Sequence, residues 1–136
     1  MDNDEAGAFA GFIQDLIRSS QLAKSGSPCV FGNDEISKIL IEQDHETVDL
    51  DKDLRRLGGC KAVYIAKDRE KGLRIELEKF NKHKVVTIAV LEGFSEMGGA
   101  IQVQMGRRNF ELLVNSKLLK ASGVKLGVLA TSLIIN

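Results

Sequence analysis

Three aspartates at alternate positions have the spacing of the opening of a metal-binding loop. Asp49, Asp51 and Asp53 follow the first three ligand positions of a calcium loop of the EF-hand type. Such a loop requires glycine at its sixth position and glutamate at its twelfth, where this chain has Leu54 and Cys60. The aspartates therefore indicate an acidic loop in solvent, and we predict no metal site.

The two histidines of the chain are poorly suited to catalysis. His45 lies among acidic residues, and His83 follows a predicted helix. A serine or cysteine nucleophile would have to take its base from one of these polar positions. Neither histidine has a second histidine close in sequence, as metal sites commonly do. The sequence therefore predicts a protein that is not an enzyme and that needs no cofactor.

The two cysteines have two interpretations. Cys29 lies in the first predicted strand and Cys60 opens the third, and these strands are commonly neighbours in a doubly wound sheet. Neighbouring strands lie about 4.8 Å apart, so cysteines in register on them could form a disulfide. Two buried free thiols that act as small apolar side chains are equally consistent with the sequence. The residues alone leave both interpretations open.

The elements that position these residues are clearest in residues 85–103. This stretch begins with an uncharged run of β-branched and aliphatic residues, too short for an ordinary helix and typical of a strand buried on both faces. Gly93 and then Gly98 and Gly99 interrupt the run as turn glycines, with Phe94 as an anchor between them. The apolar residues that follow, up to Met105, alternate with polar ones and predict a half-buried strand.

Strand and helix signals alternate along the rest of the chain. Strands are predicted at residues 27–32, 48–50, 60–66, 85–91, 101–105 and 110–114. Helices are predicted to start at Asn3 or Asp4, at Asn33 or Asp34, at Asp68 and at Asn115 or Ser116, with a last helix that includes Leu126, Leu129, Ala130 and Leu133. This alternation predicts an α/β protein, a three-layer α/β/α sandwich with a mostly parallel sheet and a C-terminal antiparallel hairpin.

Length and charge restrict the function further. A chain of 136 residues has the size of one domain, which we place at residues 1–136. Nineteen basic residues balance nineteen acidic ones, so we predict no nucleic-acid partner. No apolar run approaches the roughly 20 residues that cross a bilayer. The opening MDNDEAG lacks a signal sequence, so the protein is either cytosolic or has lost a signal ahead of residue 2.

Four short motifs together resemble the YfiR-like family of small periplasmic proteins. They are Cys29-Val30-x-Gly32, the strand CKAVYI at residues 60–65, the turn Gly93-Phe94 with Gly98-Gly99-x-Ile101, and Val114-Asn115 with Gly123-Val124. The resemblance spans about residues 6 to 134, and the glycine turn is its most specific part. The chain departs from the family at residues 19–21, where an aromatic–proline pair is frequent, and near Gly127, where small hydroxyl residues are usual.

The resemblance implies a repressor that binds the periplasmic domain of a membrane-bound diguanylate cyclase, lowering cyclic di-GMP and biofilm formation. It also implies a homodimer, an outer-membrane lipoprotein as a further partner, and a disulfide between Cys29 and Cys60. Since that setting is periplasmic, we expect a signal peptide ahead of Asp2. We place the partner contact on an exposed apolar patch at Phe94 and Met97, with a core position for Phe94 as the alternative.

A small-ligand-binding module is the second class of function that the sequence allows. Its pocket would be the crevice at the carboxyl ends of the parallel strands. The rim of that crevice would be formed by Gly32, Asn33, Lys67, Asp68 and Gly93. The glycines weaken this interpretation, because turns alone explain them.

Overall fold

A mixed sheet runs through the centre of the protein in this computed structural model, which describes residues 2–18, 25–123 and 132–135. Within those residues the sheet has seven strands in the order β2-β1-β3-β4-β5-β6-β7. They are β1 (Ser27–Phe31), β2 (Val48–Asp49), β3 (Cys60–Ile65), β4 (Val86–Ala89), β5 (Ile101–Met105), β6 (Phe110–Val114) and β7 (Ser132–Ile135). Neighbouring strands are parallel except β5 and β6, which form the predicted antiparallel hairpin.

Helices cover both faces of the sheet and give the predicted three-layer α/β/α sandwich. The α-helices are α1 (Asn3–Arg18), α2 (Glu35–Gln43), α3 (Leu73–Lys82), α4 (Phe94–Met97) and α5 (Ser116–Ala121), and short 3₁₀ helices lie at Leu54–Gly59 and Lys67–Arg69. On the first face, α1, α2 and α5 pack on one apolar cluster. On the second face, α3 and α4 pack on the other cluster. The side chains of β3 alternate between the two clusters, as the pleat of a strand requires.

Helix α1 follows from an apolar stripe at a spacing of three to four residues. Its buried side chains are Ala6, Phe9, Ala10, Ile13, Leu16 and Ile17. The helix is capped by Asp2, whose carboxylate accepts a hydrogen bond from the Glu5 N–H at 2.7 Å, so the predicted caps Asn3 and Asp4 are wrong by one or two residues. At its other end, Arg18 forms an ion pair with Asp44 at 2.9 Å, and this hydrogen bond lowers the pKa of the Asp44 carboxyl.

The start of α3 differs from its prediction. Asp68 does not cap this helix; its carboxylate instead accepts a hydrogen bond from the Asn33 N–H at 2.9 Å. The chain first forms the short helix Lys67–Arg69, and α3 begins only after Gly72, which has a φ of 73°. Glycine adopts that left-handed conformation without the strain that a Cβ would bring. Gly72 therefore occupies the capping position of α3, and Asp68 lies too far ahead of Leu73 to cap the helix.

Two further predictions near the C-terminus need correction. Leu133 lies in strand β7, because pairing with β6 satisfies the backbone groups of that strand and the SLII sequence favours an extended chain. Leu126, Leu129 and Ala130 lie outside the described residues. Met105 was predicted to point inward but is 52% exposed, since β5 ends there at the solvent-exposed turn of the hairpin.

Candidate functional site

The carboxyl ends of β1 and β3 lie side by side and form the edge at which a ligand crevice was predicted. The two strands are parallel neighbours, and Phe31 at the end of β1 is aligned with Ile65 at the end of β3. Gly32 and Asn33 follow the first strand, and Lys67 closely follows the second. Backbone N–H groups at such strand ends and helix starts are the usual donors to a bound anion.

Carboxylates of the chain itself accept hydrogen bonds from these backbone groups. The Gly32 N–H donates to Asp51 Oδ1 at 3.1 Å, and the Asn33 N–H donates to Asp68 Oδ1 at 2.9 Å. The Lys67 N–H donates to a third carboxylate, Asp34 Oδ2, at 2.9 Å. An anionic ligand at this edge would therefore have to displace aspartates that are part of the same chain.

Asp34 connects three parts of the fold through one carboxylate. Its Oδ1 accepts a hydrogen bond from the Ser37 N–H at 2.8 Å, and the Ser37 Oγ accepts one from the Asp34 N–H, which is a capping box at the start of α2. Its Oδ2 also accepts a hydrogen bond from the Tyr64 hydroxyl at 2.8 Å. Burial, and then the charge of Asp34, raises the pKa of Tyr64 far above its usual value, so this hydroxyl remains a donor.

Asp51 is held by a cation that stacks on the end of β1. The Arg69 Nη2 lies 2.8 Å from Asp51 Oδ1, and the Arg69 guanidinium lies 4.4 Å from the centre of the Phe31 ring. Asp51 thereby binds both Arg69 and Gly32, and the carboxylates of Asp49 and Asp53 accept hydrogen bonds from the backbone two residues further on. The aspartate series at positions 49, 51 and 53 therefore fixes a loop. In the part of the chain that the structure describes, no cluster of His, Cys, Asp or Glu could hold a metal ion.

Replacement of Asp34 by alanine is expected to lower the free energy of unfolding by roughly 2 to 4 kcal/mol. Loss of the helix cap contributes about 1 kcal/mol, and the fully buried Tyr64 hydroxyl loses its acceptor, which costs about 1 to 3 kcal/mol. Urea denaturation measures this difference. Tyr64→Phe is the matched control, because it removes the hydroxyl that Asp34→Ala would leave without an acceptor. The double variant should therefore lose less unfolding free energy than the sum of the losses of the two single variants. Strict additivity would mean that the hydrogen bond contributes nothing.

The structure contains a disulfide between Cys29 and Cys60. The Cα atoms lie 5.8 Å apart, within the usual range for a disulfide, and each residue is 1% exposed. The expectation that the cysteines are in register is wrong, since Cys29 is aligned with Val63 and Cys60 with Ser27. The register shifts between Ser27 and Pro28. Proline has no N–H to donate to the strand ladder, which explains an irregularity at this position.

The glycine turn encloses Phe94 instead of presenting it to solvent. Gly93 and Gly98 have φ values of 76° and 108°, conformations that residues with a Cβ rarely adopt. A Cβ on Gly99 would overlap the Phe94 ring, so the ring packs directly on the glycine backbone. Phe94 is 0% exposed, which makes it a core residue and contradicts a partner contact through its side chain. Met97 is half-buried beside the same cluster, and its role in partner binding stays a prediction.

The link between Asp34 and Tyr64 is the main feature of this region that the sequence did not predict. The capping role of Asp34 could be inferred from its position before α2. Its second role depends on a contact between residues 30 positions apart, for which the sequence gives no periodic signal. The exposure of Leu54 and Ile75, at 47% and 64%, was likewise not predicted.

Fold and site together define a small disulfide-bonded α/β protein whose strand-end amides are bound by its own aspartates. The chain belongs to the YfiR/HmsC-like family, whose model matches residues 9–129. That family is regulatory and non-catalytic, and it is associated with periplasmic regulation of diguanylate cyclases. No curated protein matches the chain.

A solved structure with a similar fold is the ligand-free, open form of a substrate-binding protein with adhesive properties from Clostridium difficile. The TM-score is 0.65 and the sequence identity is 13%, over 90% of this chain and 58% of that protein. The chain thus spans less than two thirds of the length of that protein, and the likeness concerns the fold alone. None of the described helices is long and apolar enough to cross a bilayer.

Proposed function

We propose that this protein is a non-enzymatic periplasmic regulator that inhibits a membrane-bound diguanylate cyclase and so lowers cyclic di-GMP and biofilm formation. Membership of the YfiR/HmsC-like family over residues 9–129 is the observation that carries the proposal. The buried disulfide supports it, because such bonds persist in oxidising compartments such as the periplasm. The aspartates at the strand ends also support it, since they occupy the amides of Gly32, Asn33 and Lys67, which lie on the rim predicted for a ligand module.

Inhibition of this kind requires a preference for one state of the target. A regulator that binds the active and inactive conformations of a cyclase equally well shifts nothing. Turning a target that is almost wholly active into one that is almost wholly inactive requires a preference of about ten-thousand-fold. A rigid regulator is suited to this task, because it loses little conformational entropy on binding. The disulfide supplies rigidity by joining neighbouring strands β1 and β3.

The proposal extends to the assembly and its location. The functional unit would be one domain of residues 1–136 that acts as a homodimer, exported by a signal peptide ahead of Asp2. An outer-membrane lipoprotein would be a second partner. Sedimentation velocity of the purified protein tests the dimer, and the sequence of the native gene upstream of Asp2 tests the signal peptide.

Export of the protein beside its target tests the inhibition. The chain is expressed with a periplasmic signal in cells that carry the membrane-bound diguanylate cyclase of the same genome with a periplasmic domain. We expect cellular cyclic di-GMP to fall severalfold, and we expect no change when the same chain is kept in the cytosol. A cyclase whose periplasmic domain has been removed is the control and should not respond. Equal cyclic di-GMP with and without the exported protein would contradict the proposal, as would tight binding of a small metabolite in equilibrium dialysis without any protein partner.

A further inference from the structure

A groove with an apolar floor lies between the 3₁₀ helix Leu54–Gly59 and helix α3. It encloses about 330 Å³. Leu54 and Phe80 lie in its wall and floor, and Leu54 leaves 47% of its surface in solvent while Phe80 is buried. Concave sites with an apolar lining are where proteins commonly bind another molecule. We call this site the basic groove because of its rim.

Lysines of α3 form one side of the rim of the basic groove. Lys79 and Lys82 both lie in the lining and are exposed. Glu76 is the acidic residue of the lining, and its carboxylate is 3.9 Å from the Lys79 ammonium. An exposed pair at that distance is worth little, so the positive charge of Lys79 remains available to another anion.

The opposite side of the rim adds the positive charge of Arg55. Arg55 is 92% exposed, and its Nε lies 3.0 Å from Asp53, which leaves the outer nitrogens of the guanidinium open to solvent. His83 completes the rim at the end of α3. Arg55, Lys79 and Lys82 outnumber Glu76 in the lining, so the groove is locally basic although the chain as a whole has no net charge.

We propose that the basic groove docks an acidic segment of a protein partner, with one aliphatic or aromatic side chain of that segment packed on Leu54 and Phe80. The positively charged rim favours a partner segment with negative charge, and the apolar floor favours a segment with one apolar side chain that can pack on it. A concave floor fits a chain segment better than the plane of a membrane. The inference rests on the proposed function, under which the segment belongs to the periplasmic domain of the cyclase.

The disulfide fixes one wall of the basic groove. The helix Leu54–Gly59 runs directly into Cys60, whose N–H donates to the Leu57 carbonyl. Cys60 is bonded to Cys29 in β1, so this wall is joined covalently to the sheet. Because this wall is already ordered, it loses less conformational entropy on binding than a mobile loop would.

Charge reversal on the rim provides the test. We compare the wild type with the variants Lys79→Glu/Lys82→Glu and Leu54→Glu. The probe is the purified periplasmic domain of the cyclase, and its Kd is measured at low and at physiological salt. The matched control is Lys117→Glu/Lys120→Glu on α5, which makes the same change of charge on the opposite face of the sheet. All four substituted lysines are exposed, so folding should be preserved.

We expect both groove variants to bind at least about tenfold more weakly, with a smaller salt dependence for the lysine variant, and the control to stay within about twofold of the wild type. Wild-type binding that both groove variants retain would overturn the groove while leaving the proposed function intact. Absence of binding by the wild type would overturn both the groove and the proposed function. The inference would also be overturned if the wild type bound phosphatidylglycerol vesicles in a charge-dependent way instead of the cyclase domain. The same holds if the groove substitutions only abolished a dimer that the wild type forms.

Discussion

The Phe94→Ala variant is expected to lose about 3 to 5 kcal/mol of unfolding free energy, a large share of the stability of a domain of this size. The ring is fully buried in the second apolar cluster and packs on the backbone of Gly99. Gly99 has no side chain that could extend into the cavity on its side of the ring. The midpoint and slope of urea denaturation, followed by circular dichroism, measure the loss.

Met97 provides the comparison for Phe94 within the same turn. Met97 is only half-buried, so Met97→Gln should change the unfolding free energy by less than about 1.5 kcal/mol. If Met97 contacts the cyclase, that variant should fold normally and inhibit more weakly. A Phe94→Ala protein that is as stable as the wild type but no longer inhibits would show that the ring is a surface contact after all.

Removal of the disulfide in a Cys29→Ser/Cys60→Ser variant should lower the free energy of unfolding by roughly 3 to 4 kcal/mol. The bond closes a loop with a sequence separation of 31 residues, and restriction of the unfolded chain by a loop of that length accounts for this value. The thermal midpoint should fall by roughly 10 °C or more. Differential scanning calorimetry in the absence of reductant measures both.

Reductant provides the control for this variant. Once reduced, the wild type should unfold near the midpoint of the double serine variant, whereas the variant should be insensitive to reductant. Because both cysteines are buried, reduction of the folded wild type should be slow. Mass spectrometry of the untreated protein should show one intramolecular bond. Two freely alkylated thiols in the native protein would contradict the structure.

The sequence predicted the elements whose signals are local. The apolar run that became β4, the cap at Asp34 and the turn glycines each depend on residues within a few positions of one another, where periodicity and backbone preferences act. The hairpin of β5 and β6 was also predicted, because a short connection leaves few alternatives.

The remaining features depend on contacts between distant parts of the chain. The register shift at Pro28 decides which residue lies beside Cys60, and it follows from how β1 meets β3 as a whole. The hydrogen bonds that Asn33 donates to Asp68 and that Tyr64 donates to Asp34 join residues that no periodic pattern relates. The burial of Phe94 likewise follows from how the turn folds onto α3 and the sheet. The family resemblance supplied the disulfide that the residues alone left undecided.

The aspartates that bind the strand-end amides, Asp34, Asp51 and Asp68, have a consequence for how such a regulator could receive a signal. Because the amides of Gly32, Asn33 and Lys67 already have carboxylate partners within the chain, changes in the concentration of small anions should leave the conformation of this edge unaltered. A protein built this way would respond to how many copies of its partners are present. Under the proposed function, its output would therefore be set by stoichiometry in the periplasm and would be buffered against the metabolic state of the cell.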